Sequence, residues 1–414
     1  MPQQEFETHT FANGMVLVAE PMEGVESAAF SFLVPAGTIY ESTDKLGVAS
    51  LTTDMMLRGC GSRDSRAFLA DLENLGVQRG ESVSATHVSV GGATVAENLA
   101  PTLEIYADLL LRPHLRPELF EAAQQVVLQE LCAIEDDASH KTMLELRRRY
   151  YPDPWGRNGE GTPETVEAAT IDDVGGHFNK LFRPNGTILG VAGKIDFPRL
   201  VEQLETLFGD WRTRPDPTLK LAPLEERFHH MGHESQQTHI GVAYQSVPFK
   251  HPDYLQASGA VGVLSGGMSA RLFTEVREKR GLCYSVYASY HTHKDLAGIV
   301  CYAGTNPDRA QETLDVMLNE LRRLPGTIED EELQRLRARV KSGLIMQQES
   351  SASRAGSIAR EWFHLGRVRS LDEIGGLVDG LTAKGLNEYL DRNPPANFTI
   401  VTLGPEPLKI PDWA

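Results

Sequence analysis

A chain of 414 residues exceeds the size of one ordinary hydrophobic core, so its length predicts two domains of about 200 residues each. Its formal net charge of −17 argues against nucleic acid or an anionic membrane as a partner, because both would repel it. No apolar run approaches the ~20 residues of a membrane-spanning helix, which argues against a membrane-embedded chain.

The first residues and the cysteines indicate the compartment. Residues 1–7 contain neither the basic segment nor the apolar segment of a secretion signal. The four cysteines are widely spaced and form no Cys-x-x-Cys pair, which is typical of reduced thiols. We therefore expect a cytoplasmic protein.

The N-terminal part of the chain, up to Gly59, predicts strands followed by a helix. Apolar and polar residues alternate over 5–35, with a turn at Asn13-Gly14. A helix is predicted from near Leu46 to Gly59. At 100° per residue, one of its faces carries Val48, Leu51 and Met55, and the other carries Ser50, Thr53 and Asp54.

Three further helices are predicted in the first half, over 63–75, 99–112 and 117–135. In the first of these, Phe68, Leu69 and Leu72 are expected to face inward. The third has an apolar stripe made of Leu119, Ala123, Val126, Val127, Leu131 and Ile134. Glu130 lies within that stripe, and a carboxylate there needs a partner. Either a hydrogen bond or ion pair inside the domain, or a cation held together with Asp54, would supply one.

A stretch rich in proline and charge divides the chain. It predicts an N-terminal domain over 1–212, a linker over 213–234 and a C-terminal domain over 235–414. His229, His230 and His233 in the linker, like His291 and His293 further on, could suggest a metal. We interpret them as ordinary histidines, because no fixed set of three ligands is apparent.

The second half repeats the order of elements seen in the first. A strand from Gln237, a helix over 254–264, strands over 284–290 and 297–304, and helices over 307–324 and 330–348 are predicted. A helix over 383–391 and a strand over 397–403 follow. One α+β fold used twice is therefore expected.

The most informative stretch of the sequence runs from Leu264 to Tyr287. Gly266 and Gly267 end the preceding helix, and a short helix then leads through Gly281 into a strand. Arg277 lies late in this helix and Tyr284 lies early in the strand, seven residues on. In strand alternation Tyr284 is expected on the same face as Val286, Ala288 and Tyr290. A single turn can therefore direct Arg277 and Tyr284 to one place.

This stretch resembles the C-terminal half-motif of the pitrilysin-like (M16) zinc peptidases of the bacterial processing-peptidase type. In that family a glycine-rich segment, here Gly266 and Gly267, precedes an Arg and a Tyr that bind the substrate backbone and stabilise the transition state. Arg277 and Tyr284 match these two positions. The resemblance extends over residues 5–405. It implies two α+β domains, each an antiparallel sheet packed with helices, in a clam-shell arrangement on dimerisation.

The zinc motif of the family is degenerate in this chain. Zinc-binding members carry His-x-x-Glu-His on the helix that corresponds to residues 46–59, and Ser50, Thr53 and Asp54 stand at those three positions. Glu130 stands at the separation from Asp54 at which the family places its third zinc ligand. Ala123 stands where the family usually has a second acidic residue. The chain is therefore expected to bind no metal itself.

The resemblance implies the zinc-less subunit of a heterodimeric metallopeptidase. Such a chain supplies Arg277 and Tyr284 to a partner M16 subunit that holds Zn²⁺, acts on peptide substrates and is inactive alone. The alternative is a catalytically inactive scaffold or peptide-binding protein, as a homodimer or a subunit of a larger complex. Retention of Arg277 and Tyr284 favours the peptidase, since a scaffold has no need of either residue.

Overall fold

The computed structural model describes residues 4–414, which form two compact units. The first contains residues up to 133 together with 157–221 and 346–369. The second contains 134–156, 222–345 and 370–414. Each unit thus takes segments from both sides of the stretch predicted to be a linker.

The chain contains runs of strands and runs of helices. The strands are Glu7–Thr10 (β1), Val16–Pro21 (β2), Ser27–Val34 (β3), Gly59–Cys60 (β4), Arg63–Asp64 (β5), Gln78–Val83 (β6), Val88–Val95 (β7), Ile188–Gly193 (β8), Phe228–Gly232 (β9), Thr238–Gln245 (β10), Cys283–Thr292 (β11), Ala297–Thr305 (β12) and Thr399–Gly404 (β13). The α-helices are Val48–Met56 (α1), Ser65–Asn74 (α2), Leu99–Leu111 (α3), Phe120–Asp136 (α4), Ala138–Tyr150 (α5), Pro163–Ala168 (α6), Ile171–Leu181 (α7), Phe197–Phe208 (α8), Tyr254–Ser265 (α9), Ala310–Arg322 (α10), Asp330–Gln348 (α11), Ser351–Leu365 (α12), Leu371–Asp379 (α13) and Ala383–Arg392 (α14). A π-helix spans Phe273–Glu278.

The two main sheets share one topology. The six-stranded sheet of the first unit has the order β6-β7-β3-β8-β2-β1, and the five-stranded sheet of the second has the order β11-β12-β10-β13-β9. Neighbours are antiparallel except for one parallel pair in each sheet, β2–β8 and β9–β13. The α+β fold and its internal repeat are confirmed, and each sheet, expected to be antiparallel, also contains one parallel pair.

Each unit packs one helix from the other half of the chain onto its sheet. In the first unit α12 lies on β8, β3 and β2, and in the second unit α5 lies on β10 and β13. The approach of α12 is close: a Cβ on Gly190 of β8 would lie 2.2 Å from the Ala355 carbonyl oxygen. A buried ion pair between Glu20 and Arg354, 2.7 Å from Oε2 to Nε, joins α12 to β2.

Several predictions about buried faces need correction. Leu69 on α2 is 39% exposed, because Phe68 and Leu72, four residues apart, already occupy the inward face. On α4 the buried stripe is narrower than predicted and consists of Ala123, Val127 and Leu131. Val126 and Glu130 flank that stripe and are exposed.

Two of the three histidines of the predicted linker lie in regular structure. His229 and His230 lie on β9, which pairs with β13. His230 Nδ1 is 2.9 Å from the Thr402 hydroxyl. The local sequence did not reveal this strand, because its partner β13 lies near the C-terminal end of the chain.

Candidate functional site

Helix α1 carries Ser50, Thr53 and Asp54, the three residues predicted to stand at the zinc-motif positions, and all three side chains are engaged within the first unit. The Ser50 hydroxyl donates to the Gly159 carbonyl over 2.8 Å. The Thr53 hydroxyl donates to the Ala49 carbonyl one turn earlier, also over 2.8 Å. Asp54 forms an ion pair with Arg58, 2.5 Å from Oδ1 to Nε. Two hydroxyls and one paired carboxylate therefore stand at the positions predicted for two zinc ligands and the general base.

Glu130 lies close enough to Asp54 for their charges to interact. Partial burial, followed by the negative charges of Glu160 and Asp54, raises the pKa of Glu130. Among residues 4–414 Glu130 has no hydrogen bond or ion pair, because it is exposed to water rather than buried as predicted. Asp54 and Glu130 thus interact through their charges, and Glu130 lacks the predicted intradomain partner among the described residues.

These residues do not fit zinc. A structural or catalytic zinc ion needs three or four His, Cys or carboxylate ligands, and hydroxyls are poor substitutes. Across residues 4–414, no group of three or more His, Cys, Asp or Glu side chains is arranged to hold a metal ion.

In the second unit a π-helix positions Arg277. Leu272 and Val276 are fully buried and fix this short helix on the core. The Lys279 amide donates to the Thr274 carbonyl five residues earlier, which is the π-type hydrogen bond. Such widened turns are frequent at functional sites. The arrangement leaves Arg277 half-buried beside the start of β11.

Arg277 contacts two aromatic rings. Its guanidinium carbon is 4.8 Å from the centre of the Phe273 ring and 4.8 Å from the centre of the Tyr284 ring. Cation–π contacts of this kind orient a guanidinium without consuming its N–H donors. Arg277 forms no ion pair with any residue from 4 to 414, so its donors remain free for a ligand. Phe273 was not predicted as a site residue.

A β-bulge determines the direction of Tyr284. Cys283 pairs with Thr305 and Ser285 pairs with the next residue, Gly304, so Tyr284 is the extra residue of the bulge. The bulge reverses the predicted alternation: Cys283 joins Ala288 in the core, whereas Tyr284 is 81% exposed. The expectation that Tyr284 shares the face of Val286, Ala288 and Tyr290 is therefore wrong. An unpaired bulge residue on the edge strand β11 presents its phenol directly to solvent.

The glycines before the π-helix meet two different needs. Gly267 has a φ of 155°, in the region that favours glycine. A Cβ on Gly266 would lie 2.1 Å from the Gly262 carbonyl oxygen and 1.9 Å from Nη1 of Arg339. The turn that precedes Arg277 thus requires glycine at both positions.

The remaining histidines, His291 and His293, pack against aromatic rings. His291 Nδ1 lies 3.1 Å from the Tyr151 hydroxyl, and burial lowers the pKa of His291 to about 4. The rings of His291 and His293 pack edge to face. Their interpretation as ordinary histidines agrees with this packing.

The two halves of the chain match two parts of one protein family. Residues 16–154 match the family described as insulinase (peptidase family M16). Residues 168–340 match the peptidase M16 inactive domain. The chain belongs to the M16 peptidase family. The M16 inactive-domain match contains Arg277 and Tyr284, and the insulinase match contains Ser50, Thr53, Asp54 and Glu130.

The M16 relationship extends over the full chain in bacterial relatives. An uncharacterized zinc protease of Rickettsia bellii is 23% identical over 408 residues, covering 98% of this chain and 99% of the relative. The uncharacterized zinc protease YmxG of Bacillus subtilis is 24% identical over 390 residues, covering 92% and 93%.

Solved structures confirm the M16 fold. A crystal structure described as a peptidase M16 inactive domain from Pseudomonas fluorescens has a TM-score of 0.87 at 19% identity and covers 98% of this chain and 99% of its own. A protease from Helicobacter pylori has a TM-score of 0.88 at 20% identity, with 97% and 100% covered. Within residues 4–414, no helix is both long and apolar enough to cross a membrane.

Proposed function

We propose that this M16 chain is the zinc-less subunit of a heterodimeric metallopeptidase and supplies Arg277 and Tyr284 to a zinc-bearing partner subunit. The observation that carries the proposal is the stacked pair of an exposed Tyr284 phenol and a guanidinium without an ion pair among the described residues. The metal and the base belong to the partner, because Ser50, Thr53 and Asp54 fit neither role. The complex acts on extended peptides in the cytoplasm, and the isolated chain is inactive.

The two side chains suit separate parts of peptide hydrolysis. The guanidinium of Arg277 offers a planar set of donors for backbone carbonyls of the substrate. The phenol of Tyr284 donates a hydrogen bond to the negative charge that develops on the scissile carbonyl oxygen. Stacking on Phe273 and Tyr284 holds the guanidinium in place before substrate arrives, so less order has to be gained on binding.

The test combines this chain with a zinc-bearing M16 relative from the same organism. The isolated chain should contain no stoichiometric zinc by elemental analysis and should cleave no peptide. The mixture should form a heterodimer that cleaves short peptides. Tyr284→Phe should then lower kcat by about 10²- to 10³-fold, as loss of an oxyanion donor does. Tyr287→Phe, three residues along the same strand, is the matched control and should leave kcat unchanged.

Two results would contradict the proposal. One is about one zinc per isolated chain together with chelator-sensitive peptidase activity. The other is a heterodimer with Tyr284→Phe that cleaves at the unmodified rate. If the heterodimer forms but neither Tyr284 nor Arg277 affects cleavage, the alternative of an inactive scaffold or peptide-binding protein takes its place.

A further inference from the structure

The internal repeat identifies the place in the second unit that corresponds to the degenerate zinc motif of the first. Ser50 and Asp54 lie on α1, the first α-helix after β3. Gly262 lies on α9, the first α-helix after β10, and Gly266 caps the C-terminus of that helix. In both pairs the two residues stand at i and i+4, at nearly the same distance from the end of the strand. The two strands occupy the same position in their sheets.

The third member of the site has a counterpart as well. Glu130 is the eleventh residue of α4, and Arg339 is the tenth residue of α11. The separation along the chain from Asp54 to Glu130 is close to that from Gly266 to Arg339. In the second unit, glycines and a guanidinium therefore occupy the positions that in the first unit carry Ser50, Asp54 and Glu130.

These residues line a cavity of about 350 Å³ between α9 and α11. Gly262 and Gly266 form one wall, and Nη1 of Arg339 lies where a Cβ on Gly266 would be, at 1.9 Å from it. Ser269 and Ala270, which lead into the helix of Arg277, complete that side. The absence of side chains at the two glycines thus creates both the space and the close approach of the guanidinium.

The charge of the cavity is positive, in a chain whose net charge is −17. Its carboxylate, Glu332, is neutralised by Arg271 through two bonds of 2.7 Å. Arg335 on the rim is paired with Glu331 at 2.5 Å. Arg339 has neither a hydrogen bond nor an ion pair with any residue of 4–414.

Arg339 is exposed at the cavity and has no partner among the described residues, so water satisfies its guanidinium until a ligand replaces it. The C-terminal end of α9 carries partial negative charge, which attracts a cation to this place. Partial desolvation lowers the pKa of Arg339. A guanidinium remains charged at any physiological pH, so its free donors can bind an anion in place of water. Carboxylate is the anion that its planar fork matches in a peptide.

We propose that the cavity formed by Gly262, Gly266 and Arg339 binds a carboxylate of the peptide substrate. This inference rests on the proposed function, because the peptide is the one held at Arg277 and Tyr284. Ala270 at the cavity and Arg277 are seven residues apart along one helical segment, a separation of ~10 Å. An extended peptide covers that distance with about three residues. The bound carboxylate therefore belongs to a residue about three positions from the peptide group at Arg277, either as an acidic side chain or as the C-terminus.

The test measures binding to the isolated full chain by fluorescence anisotropy at fixed low salt. Three rhodamine-labelled twelve-residue peptides of one sequence serve as probes: one with a central Glu and an amidated C-terminus, one with Gln in its place, and the Gln peptide with a free C-terminus. We expect one carboxylate peptide to bind about 5-fold more tightly than the amidated Gln peptide, since an exposed ion pair contributes up to about 1 kcal/mol. Whichever carboxylate peptide shows the preference identifies the source.

Variants assign the preference to the cavity. Arg339→Gln should abolish it and Arg339→Lys should retain part of it, because the charge remains but the fork is lost. Lys341→Gln, on the same helix but outside the cavity, is the matched control and should keep most of it. Equal binding of all three peptides to the unmodified chain, or a preference that survives Arg339→Gln, overturns the proposal.

The peptide-binding test of the cavity and the cleavage test of the proposed function can fail independently. Cleavage of the amidated Gln peptide by the heterodimer, lost with Tyr284→Phe, supports the proposed function whether or not the cavity discriminates. A preference that depends on Arg339 while Tyr284→Phe cleaves normally supports the cavity and contradicts the proposed function.

Discussion

The guanidinium carbon of Arg277 lies 4.8 Å from the centre of the Tyr284 ring, although the two residues belong to different elements. The π-helix positions Arg277, and the β-bulge positions Tyr284. Both irregularities place side chains where regular helix and strand geometry would not. The pair is therefore positioned by local deviations from ideal structure.

Replacing Arg277 by Lys should weaken catalysis while leaving the fold intact. Lysine keeps the positive charge but loses the planar donors that hold two carbonyls and stack on aromatic rings. We expect kcat/KM of the heterodimer to fall about 10- to 100-fold in steady-state assays. Because Arg277 has no ion pair among the described residues, Tm of the isolated chain should hardly change. Lys279→Gln, two residues on, is the control, and an equal loss from both variants would contradict a specific role.

The ion pair between Glu20 and Arg354 should be critical to the first unit. Both side chains are only 4% exposed, so removing one leaves an uncompensated buried charge. Glu20→Gln is expected to lower the free energy of unfolding by about 3–5 kcal/mol, measured by urea denaturation. The double variant Glu20→Leu, Arg354→Met should be close to neutral, because it removes both charges. A loss below about 1 kcal/mol in Glu20→Gln would show that the pair does not anchor α12.

His177 should make the protein acid-sensitive. Its Nε2 donates to the Ala36 carbonyl over 3.0 Å, and burial lowers the pKa of His177 to about 4 from an ordinary 6.5. Between these two values the unfolded chain binds a proton that the folded chain does not, so stability falls as pH drops from 6.5 towards 4. The loss should be on the order of 3 kcal/mol at its limit.

His177→Gln should remove this part of the pH dependence. The measurement is Tm against pH for the variant and for the unmodified chain. Other groups also contribute to acid lability, so the difference between the two curves is the quantity of interest. His140→Gln, at an exposed position, is the control. Parallel curves for His177→Gln and the unmodified chain would contradict the assignment.

The sequence predicts those elements whose signals are local. Helix α11 has the predicted bounds, because its inward-facing leucines and the acidic residues suited to its first turn fall within one segment. Helices α5 and α12 were not predicted. Their apolar faces pack on strands from the other half of the chain, and only that packing distinguishes them.

The same distinction applies to the candidate site. The seven-residue spacing and the family resemblance predict that Arg277 and Tyr284 meet. The bulge depends on pairing between β11 and β12, so strand alternation alone gave Tyr284 the wrong face. Glu130 was wrongly predicted to be buried. The predicted apolar stripe of α4 is wider than the face that α4 buries, and Glu130 lies outside that face.

The zinc site of the first unit should be recoverable by substitution. Positions 50 and 54 lie four residues apart on α1, where two imidazoles converge on one ion. The negative charge of Asp54 contributes to the raised pKa of Glu130, so the two residues already interact. The triple variant Ser50→His, Thr53→Glu, Asp54→His should therefore bind one zinc ion, measured by calorimetric titration. Catalysis should return less readily, because Ala123 lacks a carboxylate that could support the zinc ligands. Loss of such a supporting group typically lowers metal affinity or activity by roughly 10- to 100-fold.

Two further substitutions in the triple variant test the third ligand. Glu130→Ala should weaken zinc binding strongly, because an ion left with two imidazoles has too few ligands. Glu121→Ala, on the same helix and exposed, is the matched control and should leave the affinity unchanged. Position 53 is only 7% exposed, so circular dichroism must first show that the triple variant folds. A folded triple variant that binds no zinc, or that binds equally well without Glu130, would show that α1 and α4 do not have the register of a zinc site.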